Sequence, residues 1–224
     1  MIQILIKKAK NYLLILKNRI IGFYFRHTAA DRQKKLKSTV FTVISNNCWG
    51  GRVYESYNLP KQSPTVGCYF MAEEYLRFLS NLPYYIGECE LEFIPPEQAR
   101  HLDFYSRNKP VDYPIARLGD VEIAMMHYPS EEEAKAKWER RCKRINWDRL
   151  LVKMNDQNEC TAEHAKAFGA LPYAHKVFFT VKDYDAGDCT VRFPAKKNAD
   201  TIVFGQEPYG ESKYCNVNEL INSL

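Results

Sequence analysis

Thr39-Val-Phe-Thr-Val-Ile-Ser-Asn-Asn-Cys-Trp-Gly-Gly51 is the stretch whose reading decides the fold. Six strand-favouring residues lead into Ser45-Asn46-Asn47-Cys48-Trp49, and two glycines close the segment. β-Branched and aromatic side chains suit a buried strand, while Asn and Gly tolerate the backbone angles of a tight exit turn. In open α/β sheets, ligands gather where such turns leave the carboxyl ends of strands. A thiol, a hydroxyl and two amides gathered at such a turn therefore mark a site.

The pattern then repeats. Arg52 to Asn58 reads as a short helix, Thr65 to Phe70 as a second short strand, and Ala72 to Ser80 as a helix with Glu73 and Glu74 in its first turn. Glu88 to Ile94 alternates like a half-exposed strand and stops at Pro95-Pro96. Gly119-Asp120 joins Tyr113–Leu118 to Val121–Tyr128 as a hairpin. Ser130 caps a helix that opens with three glutamates and runs to about Ile145. Leu150–Met154, a polar loop and a helix from Thr161 to Phe168 follow, then a strand over Lys176–Val181, another near Thr201–Phe204, and a helix near Val217. Strand–turn–helix units on both sides of a hairpin predict an α/β fold, a layered α/β/α sandwich with a mixed sheet.

Charge divides the chain. Residues 1–40 hold ten Lys/Arg against Asp31 alone, while 41–224 hold 22 basic against 26 acidic residues. The body thus lacks the basic footprint of a nucleic-acid binder, and no nucleic-acid partner is expected. Met1 to Tyr24 reads as an amphipathic helix, with Ile, Leu, Phe and Tyr on a broad face and lysines opposite. Its apolar runs are too short to span a bilayer. They suit either an interfacial helix on an anionic membrane, through residues 1–30, or packing against the body or a twin subunit. The organisation is a basic arm, 1–37, on a single α/β domain, 38–224. The 7 cysteines are odd in number and widely spread, without a CxxC pair, which argues against structural zinc and for reduced thiols in a cytoplasmic protein, peripheral to the membrane if the arm binds there.

Ser45-Asn-Asn-Cys-Trp-Gly-Gly51, Ser63-Pro-Thr65, Ala116-Arg-Leu-Gly-Asp120, His127-Tyr128, Trp138-Glu-Arg-Arg141, the Asp156…Thr161 segment and Lys176-Val-Phe-Phe-Thr180 occur in this order. The arrangement resembles the bacterial exopolysaccharide or capsule biosynthesis family labelled a domain of unknown function (nineteen-nineteen), over roughly Thr39 to Glu207. The resemblance implies a role near surface-polysaccharide assembly. It brings no catalytic residues with it, so the chemistry rests on the side chains themselves.

Cys48 is the candidate nucleophile, with His127 as its base and Asp156 orienting the base, each at a predicted strand end. Ser45, Asn46, Asn47, Trp49 and Asn155 are candidate substrate contacts around it. Trp138, Arg141 and Arg144 add a stacking and guanidinium face on the helix after Ser130. The Asp183-Tyr-Asp185 triplet is a carboxylate pair suited to a metal and a nucleotide sugar, but reads better as a solvated loop, and no metal site or cofactor is assigned. GxGxxG, GxxxxGK[ST] and GxSxG are all absent, which argues against a standard dinucleotide site, a P-loop and a serine-hydrolase elbow. The expected activity is transfer of an acyl group or a sugar to a glycan or its precursor. The alternatives are a papain-like cysteine hydrolase and a non-catalytic assembly factor at the membrane.

Overall fold

The computed structural model describes residues 27–197, 199–203 and 205–224, together with Ile20 and Phe23. The helix expected over Met1–Tyr24 lies outside the described residues apart from Ile20 and Phe23, both exposed. Residues 27–33 are helical, and Arg32 Nε ties them to the body by donating to Ser56 O at 2.7 Å.

Four parallel strands form the main sheet in the order β1 (Thr42–Ser45), β5 (Leu150–Asn155), β6 (Lys176–Thr180), β7 (Thr190–Arg192). Alternation assigns each residue to a face. Val43, Leu151, Val177 and Phe179 pack under α1 (Trp49–Ser56) and α7 (Val217–Asn222). Ile44, Val152, Met154 and Phe178 face α2 (Ala72–Ser80), α5 (Glu131–Cys142) and α6 (Ala162–Ala170). Burying an aliphatic or aromatic side chain of this size contributes about 1.5–3 kcal/mol, so the two apolar faces hold the sandwich together. Two further short helices are α3 (Leu82–Gly87) and α4 (Leu102–Tyr105).

The mixed strand directions expected from the sequence are divided between two sheets. β2 (Leu91–Ile94), β3 (Ile115–Leu118) and β4 (Val121–Ala124) form an antiparallel sheet in that order. Its tight turn places Leu118 opposite Val121, with Gly119 at φ 61°. Leu118, Val121 and Ile123 join the same apolar cluster as Ile44 and Phe178, so the two sheets share a core.

Three expectations give way. Residues 65–70 make no strand, because Gly67 turns the chain at φ 89° and only Tyr69 bridges, to Ala124. Residues 201–203 are irregular, and the fourth parallel strand is instead β7. Finally, α5 ends at Cys142, before Arg144.

Gly50 and Gly51 have a packing role that differs from the turn role their types suggest. They lie inside α1, where a Cβ on Gly50 would meet Val43 Cγ1 at 3.2 Å and one on Gly51 would meet Val66 Cγ1 at 3.0 Å. The glycines let the helix start close against β1 and the 66–67 loop, and that fixes Cys48 at its cap position.

Candidate functional site

Cys48 follows the carboxyl end of β1, and His127 follows β4 of the other sheet. The backbone sews these ends together. Phe70 N donates to Asn46 O at 3.1 Å, Tyr69 N to Ala124 O at 2.8 Å, and His127 N to Gly67 O at 3.1 Å. The result sets Cys48 Sγ 2.9 Å from His127 Nε2.

Burial pushes the Cys48 thiol up to about 11, with Glu207 and Glu55 adding to the rise and Arg52 and Lys153 opposing it. Burial also lowers the His127 imidazole below 6.5, helped by the charges of Arg52 and Lys61 and opposed by Glu55. The resting pair at neutral pH is a thiol and a neutral imidazole, so Sγ–H donates to Nε2. This is a general-base arrangement, in which the proton moves only when an electrophile is attacked.

Asp156 does not complete a triad. Its Oδ2 accepts from Thr180 Oγ1 at 3.0 Å and Val181 N at 2.7 Å, and its Oδ1 from Ile202 N at 2.7 Å. The carboxylate staples β5 to β6 and to the tail. Among the described residues, no carboxylate is hydrogen-bonded to His127.

Beneath the thiol lies a polar network in which Ser45, Asn47 and Asn155 are joined by Lys153, Gln157 and Glu207. Lys153, fully buried in the central strand β5, forms an ion pair with Glu207 and donates to Asn47 Oδ1 at 3.0 Å. Burial lowers the Lys153 ammonium below 10.5, against the pull of the Glu207 carboxylate. Asn47 Nδ2 donates to Gln157 Oε1 at 3.1 Å and Glu207 Oε2 at 3.2 Å, while Asn155 Nδ2 donates to Glu207 Oε1 at 2.9 Å. Asn47 Oδ1 also accepts from Trp49 N at 3.0 Å and Ser45 Oγ at 3.1 Å, so this one amide holds both sides of the Cys48 turn. Asn46 Nδ2 donates to Asn155 Oδ1 at 3.0 Å, but its Oδ1 has no partner among the described residues.

Above the network opens a cavity of about 390 Å³, within the size range of small-molecule sites. Cys48, Asn47, Gln157 and Glu207 line one side of it. Tyr69, Phe104, Tyr105, Tyr113, Met126 and Tyr209 line much of the rest. Tyr69 stands edge-on to Tyr105, with ring centroids 5.6 Å apart, and its hydroxyl meets that of Tyr113 at 2.9 Å. Aromatic rings with hydroxyl tips suit a ligand that is apolar on one side and hydrogen-bonding on the other.

The remaining sequence candidates fall into two groups. Asn47 and Trp49 line the cavity, whereas Ser45, Asn46 and Asn155 are buried beneath it and act as supports. Trp49 is itself buried, its Nε1 donating to Pro208 O at 2.9 Å. Trp138, Arg141 and Arg144 do not line this cavity. Trp138 packs in the core near Phe78, and Arg144 is exposed beyond the end of α5. Arg141 is buried because it has local acceptors, Val66 O at 2.8 Å and Tyr128 Oη at 2.6 Å. That clamp holds the 66–67 loop from which Gly67 O anchors His127, so Arg141 supports the site from behind. Asp183 is exposed and pairs with Arg192 at 2.7 Å, and Asp185 accepts from Gly187 N at 2.8 Å, so both carboxylates serve their own loop.

Lys153 and Glu207 were missed, and only the first carries a signal. A lysine inside Leu150-Leu-Val-Lys-Met154 interrupts an apolar run typical of a strand buried on both faces. Glu207 arrives from an irregular tail with no periodicity to read.

No helix among the described residues is long and apolar enough to cross a membrane. A family profile described as "Domain of unknown function (DUF1919)" matches residues 21–222. A Haemophilus influenzae protein described as uncharacterized is 36% identical over 154 residues, a match covering 69% of this chain and 68% of its relative. The profile takes in nearly the whole chain, including the Cys48 turn, His127 and Glu207, and the chain belongs to the DUF1919 family.

Proposed function

We propose that this protein is a thiol-dependent acyltransferase, with Cys48 as nucleophile and His127 as general base. The observation that carries this reading is the 2.9 Å contact between Cys48 Sγ and His127 Nε2 at the wall of a cavity of about 390 Å³. Sγ attacks the carbonyl carbon of an ester or thioester while Nε2 takes the thiol proton. The tetrahedral intermediate then collapses, the carbonyl–leaving-group bond breaks, and His127 returns the proton to the leaving atom. The Gly50 and Gly51 N–H groups in the first turn of α1, which lack intrahelical acceptors, supply donors for the oxyanion. An acceptor hydroxyl deprotonated by His127 completes transfer; water in its place gives hydrolysis. The glycosyl-transfer alternative loses its carboxylate pair to the Asp183 loop.

The acceptor we propose is a sugar hydroxyl of a surface polysaccharide or its precursor. The family resemblance supports it, carried by the ordered motifs from Ser45 to Thr180. The basic arm, residues 1–30, is proposed to hold the protein to an anionic membrane. That predicts cosedimentation with anionic vesicles that disappears on deletion of 1–30; equal pelleting of the truncated chain removes the proposal.

The test of the chemistry is mass spectrometry after incubation with the N-acetylcysteamine thioester of benzoate. A single benzoyl adduct is expected on Cys48, absent in Cys48→Ala and formed about 10²–10⁴-fold more slowly in His127→Ala. Adducts spread over other cysteines, or a rate indifferent to His127→Ala, sink the reading.

A further inference from the structure

Cys48 and Arg52 each line two cavities. One is the tyrosine-walled cavity, and the other is a cleft of about 240 Å³ bounded also by Glu55, Lys61, Gly67 and His127. The thiol thus stands in the wall between them, and His127 lines the smaller cleft but not the larger. We infer that the smaller cleft is the leaving-group subsite of the acyl donor and that it selects a phosphate-bearing thiol.

The inference rests on the acyl-transfer reading, and its geometry follows from proton accounting. The leaving atom must collect its proton from His127, so it departs on the side that His127 faces. The acyl group remains with Sγ and occupies the tyrosine-walled side. By the same logic the acceptor enters where the leaving group left.

Charge supplies the selectivity. Arg52 and Lys61 are opposed by one carboxylate, Glu55, which pairs with them at 3.4 and 2.9 Å. With the imidazole neutral, the side chains of the cleft carry a net positive charge next to the dyad. Guanidinium and ammonium groups are the usual partners of phosphate. At about 240 Å³ the cleft is below the range typical of a whole small-molecule ligand. It therefore holds only the sulfur-bearing end of the donor beside His127, and the rest of the thiol leads outward past Arg52 and Lys61, both partly exposed, whose charge favours its phosphates. The covalent step is a transthioesterification: the Cys48 Sγ–acyl bond forms, the donor's acyl–sulfur bond breaks, and His127 carries the thiol proton to the departing sulfur.

The experiment has a binding arm and a kinetic arm. In calorimetric titration, free coenzyme A is expected to bind the wild type and Cys48→Ala alike, more weakly as salt is raised. Arg52→Gln and Lys61→Gln should each weaken it roughly fivefold, and Glu55→Gln should strengthen it. No binding by the wild type, or affinities indifferent to these substitutions, overturns the subsite. In the kinetic arm, benzoyl-coenzyme A should acylate Cys48 about tenfold or more faster than the N-acetylcysteamine thioester, with the ratio falling toward one in Lys61→Gln. Acylation without that preference overturns the subsite and leaves the acyl-transfer reading standing. Binding of coenzyme A without acylation of Cys48 by either thioester overturns the transfer reading, and the leaving-group role with it.

Discussion

Lys153 and Glu74 are both charged and fully buried, one in the central parallel strand and the other on α2 against the hairpin. Glu74 is saturated by donors from its surroundings. Its Oε1 accepts from Arg100 Nη1 at 2.5 Å and His101 Nε2 at 3.2 Å, and its Oε2 from Glu122 N at 2.9 Å and Arg77 Nη1 at 3.1 Å. Glu73, Glu74 and His101 lie close enough to share a cation, yet the Glu74 lone pairs are already occupied by two guanidinium groups. Lys153 belongs to a network of another kind. It joins β5 to the Cys48 turn and the tail, and its partners Asn47 and Glu207 form part of a cavity wall. A buried charge whose network closes on itself is architecture. One whose partners face a cavity beside Cys48 belongs to the proposed site.

The steepest test of that contrast is the ionisation of Cys48, which the Lys153 network adjoins without making a thiolate. A folded-state value of about 11 means that the thiolate fraction, and the rate of alkylation by iodoacetamide, climbs about tenfold per pH unit below it. A rise of roughly a thousandfold from pH 7 to 10 is expected at Cys48, followed by peptide mass spectrometry. A plateau near neutrality would reveal a thiolate–imidazolium pair and reverse the assignment. Catalytic acylation should behave differently. Its acid limb follows protonation of His127, whose lowered value keeps the base competent below pH 6.5.

Next in size is Lys153→Met. It leaves the Glu207 carboxylate, itself buried, without its cationic partner, and breaking a buried pair costs about 3–5 kcal/mol. Asn47 also loses a donor, so Cys48 acylation should slow even at temperatures where the variant remains folded. Thermal unfolding and the acylation rate check the two parts. Full activity in a destabilised variant would make the network purely structural. Glu74→Gln should cost less, about 1–3 kcal/mol, because Arg100 and Arg77 are partly exposed and turn to water. The acylation rate measured on the folded fraction should match the wild type, and a change in it would break the distinction between the two clusters.

What was legible in the sequence follows the same division between local and assembled features. Ser130 with its glutamates and Gly119-Asp120 are local signals, and the structure has a helix and a hairpin there. The Cys48 turn and His127 were legible as chemistry-bearing residues at strand ends. Asp156 was placed at the correct strand end but given the wrong partner, because its carboxylate accepts from backbone N–H groups of β6's exit and the tail, 25 and 46 residues away. Arg141 misled for a related reason. Helical spacing groups it with Trp138 and Arg144, but carbonyl and hydroxyl acceptors supplied by Val66 and Tyr128 draw it inward. The tyrosine wall comes from separate segments around residues 69, 105, 113 and 209, none of which has a periodicity pointing to the others.

The smallest expected effect is Gly51→Ala, and it probes how closely the glycines of α1 set the dyad. Alanine in a helix is favoured over glycine by about 0.5–1 kcal/mol. Against this, the new Cβ would press on Val66 Cγ1 at 3.0 Å, and overpacking costs about 1–3 kcal/mol. The contact term is the larger, so the net is a destabilisation of about 1 kcal/mol, readable by chemical denaturation. The direction of the strain matters more than its size. Val66 is held by Tyr128 and Arg141, and the next residue, Gly67, anchors the His127 backbone, so pressure on this loop moves the base relative to the thiol. Acylation of Cys48 should therefore fall by more than the lost stability explains. Gly169→Ala is the control: its Cβ would press on the Ala186 backbone carbonyl, and neither residue lines the Cys48 cavities. If Gly169→Ala, compared at equal folded fraction, slows acylation as much as Gly51→Ala does, the close seat of α1 has no special hold on the dyad.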